Sequence, residues 1–254
     1  MRTFAIVNQK GGSGKTTTAV NLAAALGERD QRVLLIDLDP QASASSWYGI
    51  SDGGRGLLDV FVDNGNLLDV FTTTQIDGVD LIPSSAWMVG VDKALAGEVG
   101  AETILRQRLE TLPAGRWDYI LLDCPPALGI LTINALAAAR EVVVPVEAHV
   151  LALNGLAQLV QTVDVVKERL NGALQITGIL PCRVDLRTRH AREVVQQLRD
   201  HFGNVVYNVY IRENVRIAEC PSFALPITAY SPSSAGAEDY RALAEEVIHQ
   251  EGSR

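Results

Sequence analysis

The sequence predicts an α/β chain with a doubly wound, mostly parallel sheet flanked by helices. Three observations predict it. Along the 254 residues, apolar runs of strand length alternate with longer segments of helical character. Runs such as ILLD and VVVPV are continuous rather than alternating, as in strands buried on both faces, and such strands belong to parallel sheets. The first run, FAIVN, passes through a glycine-rich loop straight into AVNLAAAL, giving the strand–loop–helix order of a phosphate-binding loop.

Taken in order, strands are expected at Thr3–Val7, Arg32–Asp37, Val79–Ile82, Tyr119–Asp123, Glu141–Val146, Gln175–Leu180 and Val205–Val209. Helices are expected at Lys15–Glu28, roughly Ala86–Thr111, Ile130–Ala139, roughly Asn154–Asn171, Arg189–His201 and Ala235–Gln250. The stretch GISDGGRG, Gly49–Gly56, reads as a surface loop inserted in the fold, and no stretch reads as a linker. One domain over residues 1–254 is the expectation, and its size allows a sizeable core. In a sheet of this kind ligands sit beyond the carboxyl ends of the strands, so functional residues should follow strands.

No apolar run reaches the length of a membrane-spanning helix, and the N-terminus does not read as a signal peptide. Three scattered cysteines, Cys124, Cys182 and Cys220, fit a reducing cytoplasm and free thiols. The net charge of −8 argues by itself against a nucleic-acid partner. Its distribution argues otherwise. Between Arg183 and Arg216 the balance is +3, and over the remaining chain it is −11. Only four lysines occur, and two of them, Lys10 and Lys15, fall in one six-residue window.

That window is NQKGGSGKTTT, Asn8–Thr18. The usual phosphate loop, G-x-x-x-x-G-K-[ST], would place glycine at position 9, where Gln9 stands. Gly11, Gly12 and Gly14 allow backbone N–H groups to turn inward around phosphate oxygens, and the following helix adds its N-terminal partial charge. Lys15 is placed to reach β- and γ-phosphates, and the Thr16 hydroxyl to ligate Mg²⁺. Two acids end the second strand, Asp37 and Asp39, and Asp123 ends the ILLD strand. Acids there can hold Mg²⁺ or its water shell. An acid at a strand end is also a common cap or turn residue.

KGGSGKTT resembles the deviant Walker-A motif of the ParA/MinD family of P-loop ATPases. VLLIDLDPQ and LLDCPP resemble that family's next two signatures, and the tail NVRIAECPSFALPITAYSPSSAGAEDYRALAEEV is similar to partition ATPases of the ParA/Soj type. The resemblance spans nearly the whole chain. It implies a P-loop NTPase fold of deviant Walker-A type. It also implies an ATPase that binds ATP and Mg²⁺ at Gly11, Gly12, Ser13, Gly14, Lys15, Thr16 and Thr17. Lys10 is implied to cross a dimer interface and reach the partner's nucleotide, so that ATP binding and dimerisation depend on each other. Asp39 is implied to position the attacking water and, with Thr16 and Asp123, to stand on the metal side. Ile211 and Asn214 are implied to flank the adenine, although IREN stands where I-P-R-N is commoner. No N-K-x-D motif occurs, so ATP is expected over GTP.

DLRT, Asp185–Thr188, and NVR, Asn214–Arg216, match two places where partition ATPases carry DNA-binding arginines. Arg187 and Arg216 are therefore the expected DNA contacts. Arg183, Arg189, Arg192 and Arg199 are neighbours that would widen the patch, or else a solvated helix face paired with Glu193 and Asp200. Arginine–phosphate contacts give sequence-independent, salt-sensitive binding, strengthened when a dimer presents two patches. The resemblance thus implies chromosome or plasmid partition with a ParB-like adaptor, in the cytoplasm and on the nucleoid. Two alternatives share the motifs. One is ParA-like positioning of a protein cargo. The other is a MinD-like membrane-associated ATPase, opposed by the acids Glu238, Asp239, Glu245, Glu246 and Glu251 on the outer side of the last helix. An iron-protein reading fails because Cys124 has the wrong offset for a bridging cluster ligand.

Overall fold

The computed structural model describes residues 1–148 and 152–250. A seven-stranded sheet runs through it. Its strands are β1 (Arg2–Ile6), β2 (Val33–Asp37), β3 (Thr72–Thr73), β4 (Val79–Ile82), β5 (Tyr119–Asp123), β6 (Glu141–Glu147) and β7 (Gln175–Cys182). The spatial order is β3-β4-β2-β5-β1-β6-β7. All neighbours are parallel except the edge pair β3–β4. The helices are α1 (Lys15–Gly27), α2 (Ser43–Trp47), α3 (Gly56–Val62), α4 (Val91–Ala94), α5 (Ile104–Glu110), α6 (Ile130–Ala138), α7 (Ala152–Arg169), α8 (Arg189–Phe202), α9 (Val215–Glu219), α10 (Ile227–Tyr230) and α11 (Ala235–His249).

The two-residue period of each strand divides its side chains between two apolar layers. Phe4, Ile6, Val33 and Leu35 face a layer closed by α1 and α11, where Leu22, Leu26, Tyr240 and Leu243 are buried. Ala5, Val7, Leu34 and Ile36 face the opposite layer, with Leu105 of α5, Leu136 of α6 and Leu159 of α7. Burial on both faces is what makes the strand sequences continuous apolar runs. At the amino end of β1, Arg2 makes a two-pronged contact with Glu141, Nε and Nη2 each 2.7 Å from a carboxylate oxygen. Its Nη1 donates to the Val247 carbonyl at 2.5 Å.

Three expectations need correction. The run Val205–Val209 forms no strand. Val206 makes only an isolated bridge to Ile179, and the Asn208 and Val209 N–H groups donate to the Glu246 carboxylate of α11 at 2.8 and 3.0 Å. A side chain has taken the donors a strand neighbour would need. The single helix expected over 86–111 is broken. Ala86–Gly90 and Ala101–Thr103 are 3₁₀ turns, and only α4 and α5 are α-helical. Gly97 and Gly100 stand between them at φ 86° and 79°, a conformation no helix contains. Asp239 does not lie on an outer acidic face; it is buried against Arg212. Glu238 and Glu245 are exposed on α11, while Glu251 lies outside the described residues. Among the described residues no helix is long and apolar enough to cross a membrane.

Candidate functional site

The loop after β1 is tied to its neighbour strand and to itself. Val7 N–H donates to the Val143 carbonyl at 3.1 Å, and Asn8 Nδ2 to the Pro145 carbonyl at 2.7 Å. Asn8 Oδ1 accepts the Lys10 N–H at 3.0 Å. Gly12 and Gly14 have φ of 74° and 95°, the left-handed region where a side chain is strained. A Cβ on Gly14 would also lie 3.6 Å from Cys182 Sγ. α1 starts at Lys15 with no side-chain cap and no acid in its first turn, so the chain itself supplies no anion to its first N–H groups.

The two lysines are placed differently. Lys15 is buried inside the loop, with Nζ 3.4 Å from the Lys10 carbonyl. Burial pulls its pKa down, and the carboxylates Asp123 and Asp39 oppose that pull. Lys10 is exposed at the rim, and its Nζ lies 2.7 Å from Glu147.

The strand-end acids also divide. Asp37 and Asp123 are register partners at the ends of β2 and β5, and both are buried. Every Asp37 contact serves the chain. One oxygen accepts Ser45 N–H at 2.8 Å and Ser45 Oγ at 2.7 Å, and the other accepts Asp39 N–H at 3.1 Å. Burial nonetheless pushes its carboxyl up to about 6. Asp123 has no comparable support: neither oxygen makes a well-formed hydrogen bond, and the Thr16 hydroxyl only approaches it. Burial first, and Asp37 second, raise its pKa well above the usual carboxylate range, with Thr16 and Lys15 acting in the opposite sense. Asp39 is half-buried and lines the cavity beyond the loop.

A buried carboxylate lacking partners fits a cation that the chain alone does not supply. Among the described residues no three His, Cys, Asp or Glu side chains gather closely enough to hold a metal by themselves. The side chains that could hold one carry hard oxygens, namely the Thr16 hydroxyl and the Asp39 and Asp123 carboxylates. That set suits Mg²⁺, which characteristically combines one or two carboxylates with phosphate oxygens and water.

The cavity has a volume of about 640 Å³ and runs from Gly11–Thr17 to the segment 211–215. Such a volume suits a nucleotide-sized ligand. Ile211 and Asn214 both line it. Ile211 is fixed by its N–H to the Pro181 carbonyl at 2.8 Å and by Val184 N–H to its own carbonyl at 3.0 Å. Asn214 uses its side-chain oxygen to cap α9, accepting Arg216 N–H at 2.8 Å. Arg212 donates from both N–H and Nε to Asp239, at 2.8 and 2.9 Å. Asp239→Ala should therefore loosen the cavity wall and destabilise the chain by about 1–3 kcal/mol, because a backbone donor loses its acceptor. Urea unfolding measures this, and a loss below about 0.5 kcal/mol would contradict it.

The segments leading into DLRT and NVR lie side by side, joined by a bridge between Val184 and Arg212. A groove of about 580 Å³ opens between them, lined in part by Leu186, Arg187 and Val215. The Arg187 side chain is 91% exposed beside Asp185, and that of Arg216 is 59% exposed beside Glu219. Arg189 pairs with Glu193 on α8, Asp200 accepts from Gln196, and Arg183 contacts Glu147. Arg192 and Arg199 lie farther along α8. The sequence-based expectations include neither Ser45 nor Glu147, and they put Asp239 on an outer helix face rather than against Arg212. Ser45 had no local signal, whereas Glu147, at the end of β6, met the strand-end criterion. All three cysteines are buried free thiols.

A protein-family model described as an AAA domain, AAA_31, matches residues 1–176. The sporulation initiation inhibitor protein Soj of Bacillus subtilis (strain 168) is 43% identical over 246 residues, covering 96% of this chain and 97% of Soj. The chromosome-partitioning ATPase Soj of Thermus thermophilus is 47% identical over 248 residues, covering 98% and 96%. Among solved structures, cobyrinic acid a,c-diamide synthase from Mycobacterium smegmatis with bound ADP and magnesium superposes with a TM-score of 0.87 at 32% identity. It covers 100% of this chain and 97% of that one. Full-length likeness of this degree, joined to the doubled-lysine loop and the strand-end acids, places the chain in the ParA/Soj family of chromosome-partitioning ATPases, within the ParA/MinD group of P-loop proteins.

Proposed function

We propose that residues 1–254 act as one ATPase domain that dimerises around ATP, binds DNA without sequence preference and releases it on hydrolysis. The observation that carries the proposal is the division of labour between the lysines: Lys15 is buried within the phosphate cradle and Lys10 is exposed at its rim. A lysine at the rim is available to a second subunit's nucleotide; a buried one is not. Gly11 adds support, since a Cβ there would meet nothing within 4 Å inside the chain. The requirement for glycine at that position is then expected to come from a second backbone across the interface.

In this reading the N–H groups of Gly11–Thr17 hold the phosphates, and Lys15 neutralises charge on the β,γ side. Thr16, Asp39 and Asp123 would hold Mg²⁺, which would supply neutralisation of the phosphate oxygens. Asp39 orients the attacking water. Lys10 of each subunit adds positive charge where the partner's transition state develops negative charge, which makes turnover depend on pairing. Ile211 and Asn214 flank the base. The closed dimer presents two copies of Arg187 and Arg216, and an adaptor of ParB-like type accelerates hydrolysis. Exposed Glu238 and Glu245 on α11 count against an anionic membrane as the partner.

Arg216→Glu tests the DNA step. ATP-dependent dimers should persist while duplex binding falls by about 10-fold or more at moderate salt, with a shallower salt dependence, since each dimer loses two phosphate contacts. Sedimentation and fluorescence anisotropy separate the two effects. Unchanged DNA binding would remove Arg216 from the interface.

A further inference from the structure

Three neighbouring strands of the sheet, β1, β6 and β7, deliver one charged residue each to the same corner of the cavity mouth. Lys10 follows β1, Glu147 ends β6 and Arg183 follows β7. Glu147 bridges the two cations, with one oxygen 2.7 Å from Lys10 Nζ and the other 3.3 Å from Arg183 Nη1. We propose that Glu147 restrains Lys10 within its own subunit and thereby sets the protein concentration at which ATP brings two subunits together. The inference rests on the cross-subunit role assigned to Lys10 above.

The geometry favours a releasable restraint over a structural strut. The Lys10 backbone is already held by Asn8, which is itself pinned to β6, so the ion pair adds nothing to the placement of the loop. The Lys10 and Glu147 side chains are 51% and 26% exposed, and a pair so open to solvent contributes little to folding. Its effect falls on where the ammonium goes. While the pair holds, Lys10 is kept to its own subunit; to reach a partner's phosphate it must break away.

Breaking away leaves Glu147 accompanied. Arg183 remains on its second oxygen and is fixed at the end of β7, where Val184 donates to the Ile211 carbonyl at 3.0 Å. No uncompensated charge is created, so the switch is inexpensive in the direction that releases Lys10. Arg183 also lines the nucleotide cavity, so an arriving polyphosphate and Glu147 compete for the same cations. Glu147 acts as an internal anion occupying Lys10 until a stronger anion, presented by a second subunit, replaces it. It is a positioning residue, since it acts on the nucleotide only through the cations it holds.

The test is a cycle on the full chain: wild type, Glu147→Gln, Lys10→Ala and the double variant. Sedimentation over a range of protein concentrations, with Mg²⁺ and a non-hydrolysable ATP analogue, gives dimer dissociation constants, and melting curves verify folding. A solvent-exposed ion pair is worth about two- to five-fold, and two pairs break per dimer, so Glu147→Gln should lower the constant by about 4- to 25-fold. In the Lys10→Ala background the same change should have no effect, since there is no ammonium to release. Raising the salt should bring wild type towards Glu147→Gln. The proposal is overturned if Lys10→Ala weakens dimers but Glu147→Gln leaves them unchanged or weaker. An equal effect of Glu147→Gln in both backgrounds overturns it too. If Lys10→Ala dimerises and turns over like wild type, it is the cross-subunit reading itself that fails.

Discussion

Lys10→Ala should keep ATP bound to the single subunit, abolish most hydrolysis and weaken the ATP-dependent dimer. Everything Lys10 gives to its own phosphate loop comes from its backbone: its N–H donates to Asn8 and its carbonyl accepts from Lys15. Alanine retains both. Under the proposed shared site, what alanine removes is a cation that acts on another subunit's transition state, and deleting one such group costs about 10²- to 10³-fold in turnover. Lys15→Ala should behave differently, losing nucleotide binding as well, because Lys15 is the buried charge of the cradle. Nucleotide titration and steady-state hydrolysis across protein concentrations distinguish the two variants. Wild-type turnover by Lys10→Ala would refute the shared site.

The largest stability effect is expected away from the nucleotide. Glu141→Ala leaves the Arg2 guanidinium without the carboxylate that meets it through two 2.7 Å bonds. The two side chains are only 10% and 6% exposed. Stripping one partner from a buried ion pair costs about 3–5 kcal/mol, mostly the cost of a buried charge left alone. For a chain of this size that corresponds to about 6–20 °C in melting temperature. The apolar double replacement Arg2→Met with Glu141→Leu should recover much of the loss, since it removes both charges. A single variant melting within about 2 °C of wild type would show that water reaches the pair.

The parallel core could be read from the sequence because burial on both faces writes itself into composition: FAI, VLLI and YILL are unbroken runs of apolar and aromatic residues. The edge strand β3 has only Thr72 and Thr73, paired to a neighbour on one side, and leaves no such mark. The run at 205–209 is apolar for a different reason: Val206 and Tyr207 are buried, but their neighbours' N–H groups are taken by Glu246. That competition is decided by a residue on another element, which a local run cannot reveal. The break over 86–111 depends on glycines whose left-handed conformations appear only once the chain is folded.

The same distinction governs the site. The phosphate loop is contiguous, so its glycines, Lys15 and Thr16 were visible together. The parts played by Ser45, Asp239 and Glu147 are set by which strands and helices become neighbours. Ser45 holds Asp37 from α2, Asp239 holds Arg212 from α11, and Glu147 meets Lys10 because β6 lies beside β1.

ATP is expected to convert a weakly interacting subunit into a DNA-binding dimer. The most direct measurement is the affinity of the purified chain for unrelated duplexes with ATP, with ADP and without nucleotide, at two salt concentrations. Binding that requires ATP, ignores sequence and falls steeply with salt is the predicted result. Binding equal in all nucleotide states, or none in any, would contradict it.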